Sequence, residues 1–250
     1  MDLMPLNAGL LVAVLVAISI GALLKGMTGL GLPLFGVPAL AAITSVEEAV
    51  VLMIIPGIGA NLWMAVSHRK YKSLLKEHKP FLASGFVGGL AGTTLLLVLD
   101  DRWLKLILAT WLGLYLMQYF FNKSSLKLFH GPGHSSYLLG AAAGTIQGAT
   151  GISAQIVAPY YHGRSLPPPA YAFLVTFTFL LFASAQVGAA FTTELLTPAR
   201  LQLSLAALVP TLIFTRVGIH FANVISHAVF NKVLLVVFCL MEIKLVADIF

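Results

Sequence analysis

Two stretches of this chain gather groups able to bind an anion: Lys25-Gly26-Met27-Thr28-Gly29-Leu30-Gly31-Leu32-Pro33 and Gln147-Gly148-Ala149-Thr150-Gly151-Ile152-Ser153-Ala154-Gln155. Glycine destabilises a helix by about 1 kcal/mol per residue relative to alanine, so at this density both stretches are expected to be unwound. Unwound backbone exposes N–H groups, and the N-terminus of a following helix adds positive potential; together they hold an oxyanion without a fixed charge. Thr28, Thr150 and Ser153 add hydroxyl donors, and Gln147 and Gln155 add amide donors. Lys25 supplies a cation, with no Asp or Glu inside either stretch to pair with it. A lysine near the bilayer centre costs about 2.5–3.5 kcal/mol on insertion scales, and such charges usually mark a pathway or a partner. The competing reading is a side chain that snorkels to an interface.

The candidate substrate-binding set is Lys25, Gly26, Thr28, Gly29, Gly31, Gln147, Gly148, Thr150, Gly151, Ser153 and Gln155. Asn61 and Gln186 join it, because they occupy corresponding depths in the helices that follow the two stretches. For those two the alternative is interhelical hydrogen bonding, worth about 0.6 kcal/mol on average. Gly85, Gly88, Gly89 and Gly92, with GxxxG spacing, read instead as close helix packing.

The elements that must position these groups follow from composition. Of 250 residues, 59% are apolar and 10% charged, and mean hydropathy is +0.94. A water-soluble domain carries roughly 25% charged residues. This composition excludes a soluble enzyme, a disulfide scaffold and a disordered chain, and it makes the lipid bilayer the first partner. The net charge of +6 does not imply nucleic acid, because the basic residues sit in short loops between apolar runs rather than on a polar stripe. The first seven residues lack a basic n-region, so no cleavable signal peptide is expected.

A crossing helix needs about 20 apolar residues. Candidate spans are 46–66, 80–98, 103–121, 168–192, 201–219 and 228–249. The regions 8–43 and 136–160 are too long for one span, and each contains one of the glycine stretches near its middle. Irregular backbone at membrane depth survives only where protein or a water-filled cavity surrounds it, so each region is read as a broken helical hairpin that returns to its side of entry. Loop charge supports this. With the loop 68–79 in the cytoplasm, ten basic residues face inside (Arg69, Lys70, Lys72, Lys76, Lys79, Lys123, Lys127, Arg164, Arg216, Lys232) and Arg102, Lys105, Arg200 and Lys244 face outside. Both termini are then outside.

The two stretches align without gaps: Gly26, Thr28 and Gly29 match Gly148, Thr150 and Gly151, and Lys25 matches Gln147. The expected fold is an all-α polytopic membrane protein of two inverted repeats, each a broken re-entrant hairpin plus three transmembrane helices. The first repeat covers 1–122, a cytoplasmic linker 123–135, and the second repeat 136–250. Inverted repeats with broken helices at the midplane are a recurring transporter design.

Gly21…Lys25-Gly26-Met27-Thr28-Gly29-Leu30-Gly31…Pro38, Gly144…Gln147-Gly148-Ala149-Thr150-Gly151 and Arg216-Val217-Gly218 resemble the glycine-rich signature of the sulfite exporter TauE/SafE (TSUP) family. The resemblance covers essentially the whole chain. It implies a duplicated unit that exports or imports sulfur-containing and other organic anions, with a neutral residue, often Gln, expected where this chain has Lys25. The expected function is a secondary transporter of a small anion (sulfite, a sulfonate or another sulfur-containing organic anion) in the cell inner membrane. The alternative is an anion-selective channel or an uptake permease for a non-sulfur organic anion. A homo-oligomer is compatible with either. No cofactor, catalytic residue or metal ligand is expected: there is no HExxH pair, no cysteine cluster around the single Cys239, and no GK[ST] nucleotide loop.

Overall fold

In the computed structural model, residues 8–29, 31–120, 134–162, 164, 166–193, 195–221 and 227–249 are described. Most of the linker, with Lys123, Lys127 and Gly131-Pro132-Gly133, lies outside them, as does Leu30. The described residues contain helices and no strand. The helices are α1 (Ala8–Thr28), α2 (Gly31–Ala41), α3 (Val46–Ser67), α4 (Lys79–Val98), α5 (Asp101–Phe120), α6 (His134–Thr150), α7 (Ala154–His162), α8 (Pro168–Thr192), α9 (Pro198–Phe221) and α10 (His227–Ala247), with a 3-10 helix at Arg69–His78. Five stretches are long and apolar enough to cross a membrane: most of α1, α3, α4 with the preceding 3-10 helix, α8 and α9. This is a polytopic membrane fold.

The six candidate spans correspond to α3, α4, α5, α8, α9 and α10, and the two long regions to α1–α2 and α6–α7. The hairpin arms are unequal. α1 has 21 residues, α2 has 11, α6 has 17 and α7 has 9. At 1.5 Å rise per residue, α1 is about 32 Å long, enough to cross the bilayer by itself, whereas α7 reaches a little under half of the way.

Hydrogen bonds and ion pairs fix which ends lie together. Ser45 caps α3, its Oγ accepting from the Glu48 N–H at 3.1 Å. Asp101 at the start of α5 also accepts from the Val46 N–H at 2.8 Å. Arg200 in the first turn of α9 pairs with Glu47 at 2.8 Å and Glu48 at 2.7 Å. Lys105 joins Asp101 at 3.0 Å and Asp248, just past α10, at 3.9 Å. The starts of α3, α5 and α9 therefore meet the end of α10. At another contact, Tyr160 at the end of α7 approaches Ser136 at the start of α6 (3.5 Å) and His78 at the start of α4 (3.4 Å). The α6–α7 hairpin thus closes on itself beside the entry to α4.

Without a hydrophobic drive between helices in lipid, small residues that let backbones touch decide the packing. α6 lies along α4 with Gly140, Gly144 and Gly148 against Phe81, Gly85 and the Gly89–Gly92 turn; a Cβ on Gly148 would stand 2.6 Å from the Thr93 nitrogen. α1 lies on α9 in the same way, where a Cβ on Gly26 would stand 2.8 Å from the Gly218 Cα. The glycines at 85, 88, 89 and 92 are packing residues. Outward from these contacts, Val12, Val16, Val87, Val98, Leu138, Val209 and Leu240 are exposed apolar side chains suited to lipid tails.

Candidate functional site

The breaks are shorter than the glycine density implies. α1 runs helically through Thr28 and α6 through Thr150. Each ends on one glycine in the left-handed region, Gly29 at φ 80° and Gly151 at φ 71°. Each of these glycines donates its N–H to a carbonyl four residues back, Gly29 to Lys25 and Gly151 to Gln147, both at 2.7 Å. This is a left-handed helix C-cap built twice, and a Cβ at that φ would be strained. Gly26 and Gly148 are therefore not free N–H donors; they stand inside helices and serve the crossings with α9 and α4. The threonine hydroxyls are also engaged locally. Thr28, which is exposed, donates to the Leu24 carbonyl at 2.9 Å, and buried Thr150 donates to the Ile146 carbonyl at 2.7 Å. Back-bonding to the preceding turn keeps both helices intact up to the glycine.

Lys25 does not snorkel. It is 1% exposed, and its Nζ donates to Asn61 Oδ1 on α3 at 2.7 Å and toward the Gly29 carbonyl at 3.4 Å. No ion pair among the described residues involves it. The matching position in the other hairpin is organised alike. Gln186 on α8 donates through Nε2 to the Gln147 carbonyl at 2.9 Å, and Ser153 donates to Gln147 Oε1 at 2.8 Å. Asn61 and Gln186 thus play parallel parts, each tying the helix after the hairpin to the last turn before the break.

The second break leads into α7. The Ser153 carbonyl accepts from the Ile156 and Val157 N–H groups, both at 3.0 Å, so it starts the helix. The next residues, Ala154 and Gln155, open the helix at its positive end. Gln155 is 4% exposed, and neither its Oε1 nor its Nε2 has a hydrogen-bond partner. A buried amide with both ends unmet is costly and calls for a ligand or water.

The first hairpin forms the opposite wall. A cavity of about 10 Å³ is lined by Pro33 and Leu34 of α2 together with Gln147, Gly151, Ile152, Ser153, Ala154 and Phe179. Val37 Cγ2 stands 3.1 Å from where a Cβ on Gly151 would lie. That volume holds about one water. Gly31, at the start of α2, lies on this side of the first break.

Sequence reasoning missed Thr215. Its hydroxyl is buried without a partner, and its carbonyl lies against Gly26; the adjacent Arg216-Val217-Gly218 was the only available signal. It also missed the aromatic packing around Arg164. That guanidinium sits 3.7 Å over the Tyr160 ring and donates to the Tyr160 carbonyl, and Phe81 stacks on the other partner of this pair at 3.8 Å from the Tyr160 centroid. No group of three metal-ligating side chains occurs among the described residues.

The arrangement packs α2, which follows the first break and its buried Lys25, against the second break, which stands beside an unmet amide and a helix N-terminus. A family model described as Sulfite exporter TauE/SafE matches residues 13–245. No curated protein and no solved structure matches the chain.

Proposed function

From a chain that belongs to the sulfite exporter TauE/SafE family, and is thus a multi-pass membrane transporter of the sulfite-exporter type, we propose a secondary carrier of a small sulfur oxyanion: sulfite or a simple sulfonate. The observation that carries this reading is Lys25, a buried ammonium held by a neutral amide and by no acid among the described residues. A charge left uncompensated at membrane depth favours an anion beside it. The unpartnered Gln155 amide and the α7 N-terminus supply neutral donors on the facing break. In this reading Lys25, Asn61, Gly29, Gly31, Gln147, Gly151, Ser153, Gln155 and Gln186 form the site and its supports. Gly26, Gly148, Thr28 and Thr150 shape the helices that present it.

The two halves are inverted repeats in the cell inner membrane, with the Arg69–His78 segment inside and both termini outside. The reciprocal packing of α1 on α9 and α6 on α4 supports that arrangement, as does the segregation of Lys105, Arg200 and Lys244 from the basic 3-10 helix. A carrier is favoured over a channel because the cavity beside the second break holds about one water.

A thermal-shift screen of the purified protein against sulfite, methanesulfonate, thiosulfate and simple carboxylates tests the substrate class. Stabilisation by sulfur oxyanions is expected; stabilisation by a carboxylate alone overturns the sulfur assignment. Saturable uptake with counterflow in proteoliposomes distinguishes carrier from channel.

A further inference from the structure

Among the described residues, Glu242 is the one acidic side chain placed in the interior of an α-helix. Glu47, Glu48 and Asp101 sit in first turns, Glu77 in the 3-10 helix, and Asp100 and Asp248 outside the helices. Its neighbours along α10 include Leu240, Ile243 and Val246, all exposed apolar side chains of a lipid-facing surface. The Glu242 Oε2 atom is buried and has no hydrogen-bond partner. Gly113 on α5 makes room for the carboxyl: a Cβ there would lie 3.2 Å from Glu242 Oε1. The group is thus set between α10 and α5, outside the anion site described above.

The charged groups of the adjoining helices are paired elsewhere or stand toward the other helix ends. On α5, Lys105 pairs with Asp101 and Asp248, Arg102 stands in the first turn, and Tyr115 packs on Phe238. On α10, Lys244 pairs with Asp248 at 2.7 Å, and His227 and Lys232 lie in the opposite half of the helix. α2, which also packs on α10, carries no titratable residue. No ion pair among the described residues reaches Glu242, and no cluster there could hold a metal ion. An ionised carboxylate in this setting is an uncompensated charge in a low dielectric, and the smallest ligand that removes it is a proton.

We infer that Glu242 is a proton-binding site within the membrane and that its proton is the coupling ion of transport. The proton adds to one carboxylate oxygen to give a neutral carboxylic acid and leaves again as H⁺, with no other bond changed. Neutralising the carboxyl lets α10 shift against α5 through apolar surroundings, which the unpaired carboxylate could enter only as an uncompensated charge. Because α10 also packs on α2, which lines the cavity at the second break, protonation then permits motion at the anion site. The coupling step rests on the transport reading; the protonation itself does not.

Infrared spectra of the full-length protein in lipid nanodiscs test the protonation. A carboxylic-acid C=O band that responds to pH is expected in the wild type and absent from Glu242→Gln. Superimposable wild-type and Glu242→Gln spectra between pH 5 and 9 overturn the proposal. Coupling is read in proteoliposomes with labelled methanesulfonate, whose charge does not titrate over this range. Glu242→Gln is expected to lose gradient-driven accumulation at least about tenfold while keeping anion exchange, and Glu242→Asp to restore part of it. Undiminished accumulation in Glu242→Gln overturns the coupling role. A wild type that shows the infrared band but no thermal shift with any anion contradicts the anion assignment and leaves the proton site standing.

Discussion

The Nζ of Lys25 on α1 donates to Asn61 Oδ1 on α3 at 2.7 Å, so a buried lysine is held by a neutral side chain. The equivalent place in the second hairpin has Gln186 donating to the backbone of Gln147 at 2.9 Å. The two hairpins therefore share a support but differ at one side chain, a lysine in the first where the second has a glutamine.

Lys25→Gln is expected to weaken anion binding by one to two powers of ten, the loss of a charge-assisted hydrogen bond worth about 1.5–3 kcal/mol. Insertion and folding should persist, because Gln stands at the matching position 147. Lys25→Arg keeps the charge but misplaces it, so partial loss is expected. Affinities measured at equal expression decide; wild-type binding by Lys25→Gln would remove Lys25 from the site.

Asn61→Ala should destabilise the protein more than Lys25→Gln does, because it leaves a buried ammonium without its principal acceptor. The expected cost is roughly 1–3 kcal/mol. In the double variant Lys25→Gln/Asn61→Ala much of that cost should vanish. Thermal unfolding of the three variants in one detergent reads this coupling; strict additivity would mean that the bond contributes nothing.

Gly29→Ala and Gly151→Ala both place a Cβ on a left-handed residue, at about 1–2 kcal/mol each. Gly151→Ala should be the worse of the two, since its Cβ also meets Val37 Cγ2 at 3.1 Å, whereas nothing lies within 4 Å at Gly29. Melting temperatures in the reverse order would show that the second break is looser than its contacts imply.

Gly148→Ala should fail to accumulate as folded protein, because its Cβ would meet the Thr93 nitrogen at 2.6 Å and the Gly92 carbonyl carbon at 2.7 Å. Exposed Gly188, with nothing within 4 Å, is the control: Gly188→Ala should be neutral or stabilising by up to about 1 kcal/mol. Size-exclusion profiles of the two variants make the comparison. A monodisperse Gly148→Ala would show that α4 and α6 can separate without loss of the fold.

Asp248, beyond the end of α10, is held below the usual carboxylate range by the hydrogen bond from Lys244, with further help from the Lys105 charge. A carboxyl so depressed contributes stability at neutral pH that is lost as the pH falls through its lowered value. Asp248→Asn should remove that acid-side loss, and the effect should shrink at high salt because the group is exposed. Melting temperatures of both proteins between pH 7 and 3 test it; parallel curves would show no linkage.

Apolar run lengths and two glycine clusters were enough to locate the long helices among the described residues and the two interrupted regions, because lipid leaves the backbone few alternatives to the helix. Loop charge sorted Lys105, Arg200 and Lys244 from the basic 68–79 segment, and the ion pairs of Asp101, Glu47, Glu48 and Asp248 gather those three at connected helix ends. Lys25 and Gln147 were legible as a matched pair from their place before identical Gly-x-Thr-Gly runs.

Partnership across helices was decided only in three dimensions. Glycine density implied long unwound segments, yet α1 and α6 stay helical to Thr28 and Thr150, because neighbouring backbones on α9 and α4 close around Gly26 and Gly148 and return by packing what helix propensity loses. Spacing along the chain could not show that Asn61 reaches Lys25, that Gln155 is left unmet, or that Glu242 lies against Gly113. Each of those relations depends on the register between two separate helices, which is set by side-chain volume at their contact and by no single stretch of sequence.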